Sequence, residues 1–325
     1  MIKQEKEPKR LLSFEKPLEE LFEKLEKLKS FQESGKMDMS QDIKLMEKRI
    51  EATRAQIFTN LNPIQIVQVA RFIDRPTTQE YVNMIFDDFV ELHGDRNFSD
   101  DPAMLTGIAS LNGRSVAVMG HQKGHTTKKN LAHNHGMANP EGYRKALRIM
   151  RLAERYNKPV ISFVDTPGAY PGIGAEERGQ AEAIAKNLRE MAELTVPFLT
   201  IITGEGGSGG ALGIGMGNRV LMMEFSVYSV ISPEGCASIL FRDAKRANDA
   251  AVAMKITARD LLELGIIDEI IKEPVGGAHN DPALAANYVK SAIIKNLEPL
   301  LKLSHRELLA DRYNKYRKMG IFLES

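Results

Sequence analysis

An α/β fold with parallel strand crossovers is predicted by three features of this 325-residue sequence. Short, almost continuously apolar runs recur from residue 104 onward; Gly, Pro or Asn bound each of them; and amphipathic stretches of helical length lie between them. Strands that are apolar on both faces are strands covered on both sides. A helix joining two such strands makes a parallel crossover the natural connection.

The chain before that point reads differently. Its first sixty residues are mostly charged, with Leu18, Leu21, Phe22, Leu25 and Leu28 recurring at helical spacing. Glu33-Ser34-Gly35-Lys36 breaks the pattern, and a second helix is predicted from Ser40, carrying Ile43, Met46, Ile50 and Ile57. The pair makes a helical hairpin. Its apolar seam has two open readings, packing on the chain's own core or on a partner chain. Residues 77–96 read as one further helix. Thr77 and Glu80 form its capping box. Tyr81, Ile85, Phe86, Phe89 and Leu92 form its apolar face, and Gly94 its C-terminal cap.

Strands are then predicted in MLTGIASL, SVAVMGHQ, PVISFVDT, VPFLTIIT, RVLMME and SVYSVI. Helices are predicted in EGYRKALRIMRLAERY, in EERGQAEAIAKNLREMAEL and, as a stretch of small residues, over Gly209–Gly217. Further helices are expected near 243–255 and 257–264, then the apolar run GIIDEII, and two helices from about 282 to 318. The organisation expected is a helical arm at 1–75, a core at 76–275 and C-terminal helices at 276–325.

Composition sets limits. With 44 basic and 43 acidic residues the formal charge is +1, which supports no nucleic-acid footprint over the whole surface. One cysteine, Cys236, rules out an internal disulfide and a thiolate zinc site within the chain. The start MIKQEKEPKR lacks the apolar run of a secretory signal. No uncharged apolar stretch reaches the roughly 18 residues a spanning helix needs. The expectation is a reduced, soluble, cytoplasmic protein with no membrane partner.

Chemistry is concentrated in two glycine clusters. PVISFVDT runs into PGAYPGIGAEERGQ, where Pro167, Gly168, Pro171, Gly172 and Gly174 forbid a simple helix start. VPFLTIIT runs into GEGGSGGALGIG, where Gly206, Gly207, Ser208, Gly209 and Gly210 let a ligand approach the main chain closely. Open α/β sheets bind ligands beyond the carboxyl ends of their strands, and free amides in such turns are donors for a developing oxyanion. A phosphate-binding loop needs Gly-Lys-Ser/Thr, and no Lys is present. A dinucleotide turn and plain helix–strand packing also fit one cluster; two clusters after successive strands favour a paired oxyanion site.

The side-chain inventory is thin. Gly206-Gly207-Ser208-Gly209-Gly210 is not read as a nucleophile elbow. Cys236 reads as a small buried thiol. His121, His125, His133 and His135 have spacings that suit a metal, yet Lys123, Lys128 and Lys129 among them favour a basic loop that meets phosphates, with a solvated charged loop as an equal alternative.

The strings ELHGDR (91–96), PEGYRKALRIM (140–150), DTPGAYPGIGAEERGQ (165–180), GEGGSGGALGIG (204–215), ISPEGCASIL (231–240), ITARDLLELGIIDEII (256–271) and EPVGGAH (273–279) resemble, in unbroken order over roughly residues 40–290, the alpha subunit of acetyl-CoA carboxylase carboxyltransferase. Phe241 stands where that family usually has Trp, His135 where it usually has Phe, and His125-Thr126-Thr127-Lys128 where it usually has Arg-Asp-Thr-Lys.

The resemblance implies a crotonase-type (ClpP/crotonase-like) fold of repeated strand–strand–helix units. It implies transfer of a carboxyl group from carboxybiotin, on a biotin carboxyl carrier protein, to acetyl-CoA, giving malonyl-CoA for fatty acid synthesis. It implies a beta-subunit partner in an α2β2 assembly, with the zinc site in that beta subunit and no metal in this chain, and biotin carboxylase in the larger complex. The oxyanion donors expected are the amides of Gly168 and Ala169, then Gly206 and Gly207 with Ser208. The expected substrate contacts are Tyr170, Pro171, Gly209, Gly210, Lys123, Arg144 and Lys145. Freed biotin accepts the substrate proton, which agrees with the absence of an evident protein base. Two rivals remain: a crotonase-type hydratase or isomerase using Glu176 and Glu177, whose plainer role is helix N-terminal charge, and a non-catalytic scaffold for carboxylase partners.

Overall fold

The computed structural model describes residues 10–34 and 38–320. Residues 1–9 of the charged start, Gly35 and Lys36 of the hairpin turn, and residues 321–325 lie outside the described residues. The N-terminal part comprises α1 (Lys16–Glu33), α2 (Ser40–Thr59), α3 (Pro63–Ala70) and α4 (Thr78–Ile85). Then follow β1 (Asp87–Glu91), β2 (Met104–Leu111), β3 (Arg114–His121), α5 (Thr127–Ala132), α6 (Pro140–Arg155), β4 (Val160–Thr166), α7 (Ile173–Glu177) and α8 (Gln180–Glu193). Next come β5 (Phe198–Gly207), α9 (Ser208–Leu212), β6 (Arg219–Met223), β7 (Val227–Ser229), α10 (Pro233–Phe241), α11 (Ala247–Met254) and α12 (Ala258–Glu263). The described chain closes with β8 (Glu269–Ile271), α13 (Pro282–Leu300) and α14 (His305–Arg317). No described helix is long and apolar enough to cross a membrane.

The strands form one sheet in the order β1-β2-β3-β4-β5-β6-β8, with β7 pairing β5 off that path. β1, β2 and β3 are antiparallel neighbours, and every pairing from β3 to β8 is parallel. Apolar strand residues alternate between two cores, as a period of two requires. Ile161 and Phe163 of β4 join Leu199 and Ile201 of β5 under α4 and α13. Val160 and Val164 join Phe198 and Ile202 under α6 and α8. Helices on both faces explain why these strands read as unbroken apolar runs.

The hairpin packs its seam mainly on itself: Leu18, Leu21, Leu25 and Ile50 cluster with Phe22, Ile43, Met46 and Ile57. It is pinned to the body where Phe58 meets Phe225 edge-on. Ala285, Val289 and Ile293 of α13 share a core with Leu199 and Ile201, so the C-terminal helices close the main core.

Three local expectations are corrected. Residues 77–96 are not one helix. The Thr77/Glu80 capping box forms, but α4 ends at Ile85 and Phe86 turns extended. Asp87–Glu91 then pairs with β2, Val90 opposite Ile108, and the Phe89 ring lies over Gly107, where any Cβ would collide with it. Strand pairing overrides the helical periodicity, and Gly94 lies beyond the strand. The second correction concerns Gly209–Gly217: the helix stops at Leu212, since successive glycines hold a helix weakly. The third is a break at Gly179 (φ +81°), which divides the predicted 176–194 helix into α7 and α8. Helices α3, α5 and α10 had not been read from the sequence.

Candidate active site at two glycine-rich strand exits

β4 and β5 are parallel neighbours whose carboxyl ends finish side by side, Thr166 opposite Gly206. The turn after β4 therefore meets the start of α9 after β5. No side chain separates them. A Cβ on Gly210 would stand 2.7 Å from the Ala169 nitrogen, and one on Gly207 would collide with the Pro167 carbonyl. Gly168 differs, because a Cβ there would have no neighbour within 4 Å. The two glycine clusters form one site, open over Gly168.

The turn is rigidly built. The Thr166 hydroxyl donates to the Gly168 carbonyl (2.6 Å) and accepts from the Gly168 N–H (3.1 Å). Tyr170 N–H donates to the Ala138 carbonyl at 3.0 Å. The buried Gln180 amide donates to the carbonyls of Ala138 and Tyr170, each at 2.9 Å. These contacts correct the expected donor set. The Gly168 N–H is spent within its own turn. Gly206 is paired on both sides, with Thr166 and Tyr228, and Gly207 with Ser229, so both glycines belong to the sheet. Their contribution is close approach. Among the described residues the Ala169 N–H has no acceptor. The first turn of α9, at Ser208, Gly209 and Gly210, adds N–H groups that helix geometry leaves without intrahelical partners.

Beneath the turns runs a chain of ion pairs. Lys123 Nζ lies 2.7 Å from Asp165 Oδ1 and 3.3 Å from Glu205 Oε2. Arg71 bridges Glu205 at 2.7 Å and Glu234 at 2.8 Å. Burial alone would lower the Lys123 pKa, but Asp165 and Glu205 more than offset it and hold the ammonium charged. Lys123, Asp165, Glu205 and Pro167 border a cavity of about 430 Å³. On the other side of α9, Gly209, Leu212, Met216, Tyr228 and Leu264 border an apolar cavity of about 920 Å³.

Other candidates are placed elsewhere. Lys145 is fully buried, 2.5 Å from Asp100 Oδ1 and 2.8 Å from the Asp101 carbonyl. Arg144 is held by Asp95 (2.8 Å) and the Arg178 carbonyl (3.0 Å). Lys145 is withdrawn from the expected phosphate contacts, since it is buried and paired; Arg144 is only partly buried and already held by Asp95. Tyr170 packs its ring over Gly172, and Pro171 is exposed beside it. Cys236 is buried with Ala237 and Ala250. Glu176 and Glu177 are exposed on the short helix α7.

The four histidines do not converge; no group of three metal-ligating side chains occurs among the described residues. Burial, helped by Lys123, pushes His121 down to about 3, so it is neutral. His133 Nδ1 donates to the Pro102 carbonyl (2.7 Å), and His135 Nδ1 faces Asn130 (3.0 Å). His125 donates through Nδ1 to the Ile73 carbonyl (2.7 Å) and sets Nε2 against Glu80 (2.9 Å). The Glu80 hydrogen bond raises the His125 pKa above its ordinary 6.5, although burial opposes it. A raised folded-state value means that this stabilisation is complete below pH 6.5 and is lost as pH climbs through the raised value. Both side chains are over a third exposed, so the effect stays below about 1 kcal/mol. Between about pH 6 and pH 8, wild type is expected to lose slightly more thermal stability than His125→Gln.

A helix-covered, mostly parallel sheet with amide-lined glycine turns at adjacent strand exits defines the crotonase-like α/β class. Solved structures share the fold. Transcarboxylase 12S with methylmalonyl-coenzyme A and methylmalonic acid bound superposes with a TM-score of 0.55 at 22% identity, covering 68% of this chain and 42% of that one. A Pseudomonas malonate decarboxylase hetero-tetramer in complex with coenzyme A gives 0.54 at 16% identity, covering 67% and 88%. The family model described as acetyl co-enzyme A carboxylase carboxyltransferase-like matches residues 11–320. The acetyl-coenzyme A carboxylase carboxyl transferase subunit alpha of Staphylococcus epidermidis RP62A is 54% identical over 314 residues, 97% of this chain and all of that one. The Geobacter metallireducens protein of the same name is 56% identical over 313 residues, 96% and 98% of the two chains. The chain belongs to this carboxyltransferase family, among its alpha subunits.

The sequence reading missed Thr166, Gln180, Asp165 and Arg71. The first three lie inside or beside a glycine string, and adjacency to that turn was the available signal. Arg71 carried none, because its partners Glu205 and Glu234 lie far along the chain.

Proposed function

We propose that this carboxyltransferase alpha subunit performs the biotin side of carboxyl transfer to acetyl-CoA at the joined glycine turns, yielding malonyl-CoA. The observation that carries the reading is the unpartnered Ala169 N–H beside the open face of Gly168. A small negative oxygen fits there, since no Cβ fills the space. Carboxybiotin on a carrier protein supplies the carboxyl group, and the biotin left behind supplies a basic site. The Ala169 amide, with the first-turn amides of Ser208, Gly209 and Gly210, stabilises negative charge that develops on oxygen; one such donor is typically worth about 10²–10³ in rate. Gly206 and Gly207 keep the approach narrow. Tyr170 and Pro171 border the substrate, while Lys123 is held by Asp165 and Glu205.

The partner is the beta subunit, in an α2β2 assembly that also meets biotin carboxyl carrier protein and biotin carboxylase in the cytoplasm. Zinc belongs to that beta chain. Exposed Ile173, Val230, Ile239 and Leu240 suit the contact, because large apolar side chains at a site rim are favoured where a partner covers them. Of the expected arm at 1–75, core at 76–275 and C-terminal part at 276–325, the described helices Lys16–Glu33 and Ser40–Thr59 serve as the arm, and Pro282–Leu300 and His305–Arg317 close the core.

Co-purification with a beta subunit, followed by malonyl-CoA/biotin exchange, tests this reading. Stable pairing and exchange that neither chain gives alone is the expected result. Enoyl-CoA hydration by this chain alone, or pairing without exchange, contradicts it.

A further inference from the structure

We propose that Asp165 is a positioning residue that sets the spacing of the two glycine turns, acting through Glu205 and Lys123 without touching substrate. The pairing of β4 with β5 slips at this point. Val164 lies opposite Ile202, yet Thr166 lies opposite Gly206, so two residues of advance on β4 match four on β5. Such an irregularity leaves main-chain groups off the regular ladder, and near a site it decides where the following residues aim. Asp165 Oδ1 fills the gap by accepting the Glu205 N–H at 3.0 Å. The same oxygen accepts from Lys123 Nζ at 2.7 Å.

Three neighbouring strands therefore end in one knot. Lys123 follows β3, Asp165 lies in β4 and Glu205 in β5, and Lys123 keeps the two carboxylates from repelling each other. The surroundings are shaped to the carboxylate. A Cβ on Gly204 would stand 2.7 Å from Asp165 Cγ, and one on Gly136 would stand 2.7 Å from the Asp165 carbonyl oxygen. Asp165 immediately precedes the Thr166–Ala169 turn, and Glu205 precedes Gly206–Gly210. The bulge that Asp165 fixes sets how far β5 runs before α9 begins, and hence where the α9 amides stand against Ala169.

The inference rests on the glycine turns being the reaction site, so the wild-type chain paired with its beta subunit is measured first, in biotin-dependent decarboxylation of malonyl-CoA. A wild-type pair without activity overturns that reading itself. With an active wild type, Asp165→Ala is expected to lower kcat about 10²-fold, the usual effect of a misplacement near 1 Å, while KM for malonyl-CoA and biotin stays within about twofold. Asp165→Asn keeps an oxygen for the Glu205 N–H, so it is expected to recover kcat to within about tenfold of wild type with an unshifted pH profile. Lys123→Met leaves Asp165 facing Glu205 and is expected to cost about tenfold in kcat at constant KM, which decides the matter should Asp165→Ala not assemble. Wild-type kcat in Asp165→Ala and Lys123→Met, or losses that appear in KM, overturn the inference. So does an Asp165→Asn variant as slow as Asp165→Ala that has lost the acid limb of its pH profile, which would make Asp165 a proton carrier.

Discussion

Gly210→Ala is expected to cut carboxyl transfer by about 10²-fold, a large loss for one added methyl group. The new Cβ would stand 2.7 Å from the Ala169 nitrogen and also from the Gly168 oxygen, both main-chain atoms that cannot swing aside. One of the two turns has to move, and with it the amide spacing on which the oxyanion site depends. Overpacking of this kind also costs about 1–3 kcal/mol of stability. The check is kcat at saturating substrate in the assembled pair, together with the unfolding midpoint. Both are expected to fall, and the fall in kcat should persist at temperatures where the variant is fully folded.

Arg75→Met is expected to give the largest loss of stability, about 3–5 kcal/mol, because it strands a buried charge. Arg75 is buried and forks onto both Glu273 oxygens (2.8 and 2.9 Å) while donating to the Thr203 carbonyl at 2.6 Å. Glu273 in turn accepts from the N–H groups of Phe225 (2.9 Å) and Ala278 (2.7 Å). Burial alone would lower the Arg75 pKa, but Glu273 more than offsets it, so the guanidinium is charged and held in place. The pair ties the segment before α4 to β5 and to the loop after β8. Denaturant unfolding measures the loss. Adding Glu273→Gln to Arg75→Met is expected to restore part of it, since a neutral amide needs no cation.

The strands β2 to β6 were legible because each is covered on both faces, which leaves long apolar runs between turn residues. The glycine strings were legible for a related reason: only missing side chains let Gly207 and Gly210 touch the neighbouring turn. β1 was not legible. Its Phe89 and Val90 fit a helical face equally well, and only the partner strand, with Gly107 making room for the Phe89 ring, decides for strand. The donor set was half legible. That Gly168 spends its N–H on Thr166 depends on the shape of a turn, and a composition of glycines does not reveal it. The role of Lys123 was misread for another reason. As one of several cations in a loop it suggested phosphate binding, while Asp165 and Glu205, which neutralise it, come from strands far along the chain. Lys145 looked equally available on an amphipathic helix, and its burial against Asp100 depends on a loop with no periodicity.

The filling of the space over Gly168 tests the oxyanion account most directly. A Cβ there meets no neighbouring protein atom within 4 Å, so folding should be untouched, while the leucine fills the open space at the turn that holds the Ala169 amide. Biotin-dependent malonyl-CoA decarboxylation by the Gly168→Leu pair should fall about 10²-fold or more while melting temperature and co-purification match wild type. A Gly168→Leu pair that turns over at the wild-type rate would show that the charge develops somewhere else.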